Sequence, residues 1–107
     1  MLKAGVELMA RYGYTTAQDG RSNADGLATM ERVAARGELP IDVVAYPDIL
    51  MVPDVSPSRS YSGRFRVGGV KLTIDGSPQG KTAWLASPYY RPPEGRDADY
   101  AGYPAID

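Results

Sequence analysis

The 107-residue chain contains no cysteine and no histidine. Without cysteine there is no disulfide framework and no thiolate chemistry, and a reducing cytoplasm is the expected compartment. Without histidine the commonest general base and the commonest metal ligand are both missing. No Ser-His, Cys-His or polyhistidine metal mechanism can therefore be carried by these residues alone. A charge excess is lacking too: 12 Lys and Arg stand against 13 Asp and Glu, a net charge of -1. That balance excludes a strongly basic nucleic-acid binder and a polyanionic tail. No apolar run approaches the ~18 residues of a membrane span, and no charged segment followed by an apolar one opens the chain. Phe and Trp occur once each, so the aromatic surface falls almost wholly to eight Tyr.

What is present suits one small globular domain, with 43% apolar and 23% charged residues. Its punctuation is uneven. Residues 1–46 hold one proline, Pro40, and residues 47–107 hold the other eight. Regular structure is expected mainly in the first part. Leu2, Val6, Met9 and Ala10 share one face of an opening helix that Gly13 stops. Tyr14–Gln18 reads as a short strand closed by Asp19-Gly20. Ser22 or Asn23 can cap a second helix, whose apolar face is Leu27, Met30, Val33 and Ala34 and which Gly37 ends. Ile41–Tyr46 is a second strand between Pro40 and Pro47. Helix then strand, repeated, is the rhythm of parallel α/β structure.

The third connection is damaged by Pro47, Pro53 and Pro57; only Asp48–Val52 can form a helical turn, and Ser56–Gly63 is polar loop. Arg66–Ile74 reads as the best strand, with Val70, Leu72 and Ile74 on one face and Lys71 on the other. Thr82–Leu85 could add a short strand before a Pro/Tyr-rich tail. The expected division is an α/β part over residues 1–86 and an extended tail over 87–107.

Lys71 has two readings: a solvated lysine on an uncovered sheet face, or a functional lysine near the carboxyl end of a strand, where α/β folds place their sites. The following Gly76-Ser77-Pro78-Gln79-Gly80-Lys81-Thr82 is close to a phosphate-binding loop. It lacks one residue of the required spacing, and Asp75 stands where the first Gly belongs. Arg59, Tyr61, Arg64, Phe65 and Arg66 mix basic and aromatic side chains, but in a short patch on a slightly acidic chain.

Taken together, Gly69-Val70-Lys71-Leu72, Asp75-Gly76-Ser77, Gly80, Thr82-Ala83 and Pro88-Tyr89 resemble amidohydrolase family 3. These are metal-dependent hydrolases typified by N-substituted formamide deformylase. Gly13-Tyr14-Thr15-Thr16-Ala17-Gln18-Asp19-Gly20 resembles the same family's Gly-x-Thr-Thr strand, in the right order. The resemblance implies a (β/α)8 barrel with a small β-sandwich. It also implies a divalent, zinc-like metal site built from a His-x-His, a carboxylated lysine, two later His and an Asp. Lys71 falls on the carboxylated lysine, and Asp75, Gly76 and Ser77 on an active-site loop. In that chemistry a neutral lysine amine takes up CO2 to become a carbamate that bridges metals, and hydroxide from a metal-activated water attacks an amide-like carbonyl.

On this resemblance the family's histidines fall before Met1 and after Asp107. The chain is thus expected to be an interior slice of the barrel, an α/β unit of about three parallel strands and two helices with an irregular Pro/Tyr-rich C-terminal tail. A carbamate site without its co-ligands holds no metal. No catalytic residue and no cofactor are therefore expected in this chain, and hydrolysis of C–N bonds other than peptide bonds is expected by descent only. The alternatives are a homo-oligomerising module and a subunit completed by a separate chain that brings the histidines. A homo-oligomer is expected because an open three-stranded parallel sheet leaves two edges unpaired and a face half bare. Nucleic acid and membrane are not expected as partners.

Overall fold

The computed structural model describes residues 1–106; Asp107, the last residue of the expected tail, lies outside the described residues. The elements run α1 (Leu2–Arg11), β1 (Thr16–Ser22), α2 (Ala24–Ala35), β2 (Asp42–Pro47) and β3 (Phe65–Val67). Both helices fall where the periodicity put them. Asn23 caps α2, its Oδ1 accepting from the Gly26 amide at 2.8 Å. Lys3 of α1 pairs with Glu38, past the end of α2, at 3.1 Å.

The three strands are parallel in the order β1-β2-β3. This is the expected partial α/β unit. Side chains alternate across it in register rows. Ala17, Val43 and Phe65 form one row and are all buried. The next row, Gln18, Val44 and Arg66, faces the other way. Of these only Val44 is buried. The core therefore lies on the Val43 side, where Val6, Met30, Ala34, Leu39, Ile41, Ala45 and Val67 join the first row. Met9, expected on the buried face of α1, is exposed.

Two strand boundaries differ from the sequence reading. β1 does not close at Asp19-Gly20 but runs on to Ser22. β3 does not extend from Arg66 to Ile74 but ends at Val67. The cause lies at Gly68 and Gly69, which pass under Tyr46: a Cβ at Gly68 would sit 2.5 Å from Val44 Cγ1 and 2.9 Å from the Tyr46 ring. After Ala45 pairs with Val67, the next pairing is Asp48 with Lys71. That is three steps along β2 but four along its neighbour, so one extra residue bulges out. The alternation counted straight through the glycines fails at that point. Leu72 and Ile74, expected on a packed face, are 57% and 63% exposed. Thr82–Leu85 is not a strand either; its amides go to turns and to the 101 carbonyl.

The chain forms two compact units, Met1–Leu72 and Thr73–Asp107. The second unit folds back on itself. Asp75 bridges Pro104, and the amides of Ala105, Leu85 and Tyr89 donate to the carbonyls of Ile74, Ala101 and Tyr100 at 2.9, 2.7 and 3.0 Å. Tyr89 and Tyr100 stack at 5.9 Å, and their hydroxyls donate to the carbonyls of Ala83 and Lys81. Burial raises the Tyr89 phenol above its ordinary 10.0, with Tyr100 and Asp75 adding negative charge nearby. Among the described residues no helix is long and apolar enough to cross a membrane.

Met30 is almost fully buried in the core, whereas Leu50 is exposed. Met30→Ala is expected to lower stability by about 2–5 kcal/mol in denaturant unfolding, and Leu50→Ala to change it by less than about 0.5 kcal/mol.

Candidate functional site

Parallel α/β sheets place their chemistry beyond the carboxyl ends of the strands. Here that end is also where both outer strands leave the regular ladder. On β1 the register passes from Asp19–Ala45 to Ser22–Pro47, three steps against two. On the other side it passes from Val67–Ala45 to Lys71–Asp48, four steps against three. One residue bulges on each flank of β2 at the same height, and bulges of this kind gather beside functional sites.

The two flanks rejoin around Asp48. Its amide donates to the Ser22 carbonyl at 3.0 Å. The next amide, Ile49, donates to the Lys71 carbonyl at 3.1 Å, and the Lys71 amide donates to Pro47 at 2.7 Å. The Asp48 side chain is 3% exposed, and both its oxygens are engaged. Oδ2 accepts from Arg21 Nε at 2.8 Å, and Oδ1 from the Leu50 amide at 2.9 Å. Ser22, also buried, donates its hydroxyl to Asp19 Oδ2 at 2.8 Å. The Arg21 hydrogen bond, then the Leu50 amide, hold the Asp48 carboxyl below its ordinary 3.8 against the opposing effect of burial. Asp48 is thus an ionised, fully satisfied carboxylate, suited to holding its neighbours rather than to taking a proton.

Lys71 itself is exposed, outside any strand, and forms no ion pair among the described residues. Asp75, Gly76 and Ser77 lie in the second unit. They build a tight turn with residues 78–84: Asp75 Oδ2 accepts from the Trp84 amide at 3.0 Å, Gly76 N–H donates to the Thr82 carbonyl, and Ser77 N–H donates to Thr82 Oγ1. Gly80 N–H donates to Ser77 Oγ. The amides a phosphate would need are spent inside the turn. A Cβ on Gly76 would run into the Thr82 side chain and sit 2.8 Å from the Thr82 carbonyl carbon, which is why glycine stands there.

Sequence reasoning singled out Lys71 and passed over Asp19, Arg21, Ser22 and Asp48. The signal that could have found them is positional: charged residues closing two successive strands of a parallel pattern. A cavity of about 490 Å3 between α1, α2 and β1, lined by Leu2, Val6, Met9, Ala17 and Met30, reaches Asp19 but none of Arg21, Ser22, Asp48 and Lys71. The described residues do not by themselves fit a metal ion. No three His, Cys, Asp or Glu side chains converge, and Lys71 offers a single donor.

The model of the amidohydrolase family matches residues 1–106. The chain belongs to the amidohydrolase family. Among solved structures, this amidohydrolase chain resembles an uncharacterized metal-dependent hydrolase from Pyrococcus horikoshii OT3, with a TM-score of 0.74 and 23% identity over 99% of its length. It spans 22% of that protein. At that identity the likeness speaks for the fold. No curated protein matches the chain.

Two outcomes follow for this amidohydrolase unit. Gly76→Ala is expected to lower stability by about 1–3 kcal/mol, because the obstacle includes backbone. Gly80→Ala, whose Cβ would meet the flexible end of Ser77 at 3.1 Å, is expected to change it less in the same unfolding experiment. The depressed Asp48 pKa contributes stability that is fully present above 3.8 and is lost as pH falls through the folded-state value. Thermal melts from neutral pH down to about pH 2 should therefore show an acid limb that is smaller in Asp48→Asn than in the parent chain.

Proposed function

We propose that this chain is a three-stranded sector of a cytoplasmic metal-dependent hydrolase of C–N bonds other than peptide bonds, of the N-substituted formamide deformylase type, and that its 107 residues do not turn over substrate alone. The observation that carries the reading is the family match over residues 1–106, with Lys71 at the carboxyl-terminal end of the parallel sheet. An exposed amine there is open to CO2. Its nitrogen attacks the carbon of CO2, a proton leaves, and the product is an anionic carbamate with two oxygen donors. The other metal ligands come from outside these residues, which contain no His or Cys. Asp75, Gly76 and Ser77 match the family's active-site loop in sequence, and here their own polar groups are bound within their turn.

A second reading is a homo-oligomer or a subunit completed by a His-bearing chain. Exposed Leu8, Met9, Leu50 and Met51 support it. The strand edges do so less, since β1 is bulged and charged and β3 is three residues long, and both features discourage edge pairing. An assembly of this kind should bury more than roughly 1,000 Å2 in total.

The purified chain is expected to show no hydrolysis of formamides, amides or cyclic ureas above background, with or without zinc, and no stoichiometric transition metal. Turnover that persists through purification and disappears in Lys71→Ala would overturn the inactive-sector reading. Sedimentation at tens of micromolar separates the second reading: a folded monomer removes the homo-oligomer. Metal bound only in a complex with a histidine-bearing chain would favour the completed subunit.

A further inference from the structure

Lys71 has no strand to hold it. β3 ends at Val67, the chain bulges through Gly68 and Gly69, and the described residues after Leu72 belong to the second unit. The backbone of Lys71 rejoins the sheet through two hydrogen bonds, its amide to Pro47 and its carbonyl from Ile49. Both partners flank Asp48. The position of Lys71 is therefore as well defined as the 47–49 backbone, and no better.

That backbone is fixed from β1. The Asp48 amide is bound by the Ser22 carbonyl, and its carboxylate by the Arg21 side chain and the Leu50 amide. Arg21 lies within the bulge on β1, and Ser22 is the first residue paired again after it. The bulge takes Arg21 out of the simple alternation, and its Nε donates to the carboxylate of Asp48, the residue that follows β2. A carboxylate with a 3% exposed side chain has given up its water for fixed hydrogen bonds, so its two partners, Arg21 and the Leu50 amide, hold it in one place. The arrangement is a device of position.

We propose that Arg21 and Asp48 are positioning residues for Lys71: the ion pair across β1 and β2 locks the 47–49 backbone to which the Lys71 segment is tied after its bulge. The pair acts through the backbone, and it gives the carbamate oxygens of the reading above a fixed origin. The inference rests on that reading only for the use to which the placement is put.

Amide hydrogen exchange on the full 107-residue chain, without metal or substrate, tests it. The reporters are the amides of Lys71 and Ile49. The references are Val43, bonded to the Arg64 carbonyl, and Gly68, bonded to the Ala45 carbonyl, in the same sheet. In Arg21→Gln and in Asp48→Ala the two reporters are expected to exchange at least about tenfold faster while the references stay within about twofold, since local opening can be separated from global unfolding. Arg21→Lys, which keeps a cation for Asp48, should recover most of the protection. Three results would overturn the proposal: equal acceleration of reporters and references, unchanged exchange at Lys71 in Arg21→Gln, or a parent chain whose Lys71 amide is already unprotected. If Asp48→Ala does not fold, Arg21→Gln decides, and a chain that unfolds on losing Arg21 shows a purely structural pair and also overturns it. None of these measurements reads metal or turnover, so their failure leaves the hydrolase reading to its own test.

Discussion

Everything ordered in the first unit takes its place from β2. It is the middle strand, hydrogen-bonded on both edges, and Val43, Val44 and Ala45 are buried in succession. Three consecutive buried residues mean that both faces of the strand are covered at that point, the condition under which parallel strands are found. Pro40 and Pro47 delimit the segment, and neither removes an amide that the ladder needs. The flanking strands copy the register of β2 for as long as their side chains allow, and both leave it at the same height. The helices then cover one face, with Met30 and Ala34 of α2 and Val6 of α1 in the common core.

The two faces of this sheet have different chemistry. The row Ala17, Val43, Phe65 and the neighbouring Ala45 and Val67 are apolar and buried under helices. The row Gln18, Val44, Arg66 is polar at both ends. A sheet whose apolar face lies under helices turns its other face inward when it closes, where side chains from alternate strands pack in layers. That suits a sector of the barrel implied by the family, in which the inward face supplies side chains to a site and the outward face packs on helices.

The helices, a side-chain cap on α2 at Ser22 or Asn23, the second strand and the parallel order were legible in the sequence, because each rests on local periodicity or on a single punctuating residue. Leu27, Met30 and Ala34 repeat on one face of α2, and Asn23 stands one residue before it. What could not be read depends on neighbours distant in the chain. Asp19-Gly20 has the composition of a turn, yet β2 pairs with it and carries β1 on to Ser22. Val67–Ile74 has the alternation of a strand, yet the Tyr46 ring occupies the space that a regular strand would need beside Gly68. Alternation is a statement about one strand, whereas a bulge is a property of two. The same limit hid the site. Lys71 was noticed through its motif, while Asp48 looked like the first residue of a turn. That role is real, since the Met51 and Val52 amides both donate to its carbonyl. Its side chain does something a local reading cannot show, because its partner Arg21 is twenty-seven residues away.

The placement of the bulges is more informative than the residues taken singly. A bulge on one strand bends that strand; matched bulges on both neighbours of a central strand leave the centre straight and turn the two flanks about it. At that height Asp48 directly follows β2, and the flanks present Arg21 on one side and Lys71 on the other. The carboxylate is buried and saturated, and the two cationic side chains are exposed. A regular ladder would have set Arg21 and Lys71 by parity alone, each one residue out of phase with its present position. The extra residue on each flank frees them from that parity and leaves Asp48 as the fixed point between them. The carboxyl-terminal end of the sheet is thus organised around an anion that the sheet itself supplies, with its cations turned outward.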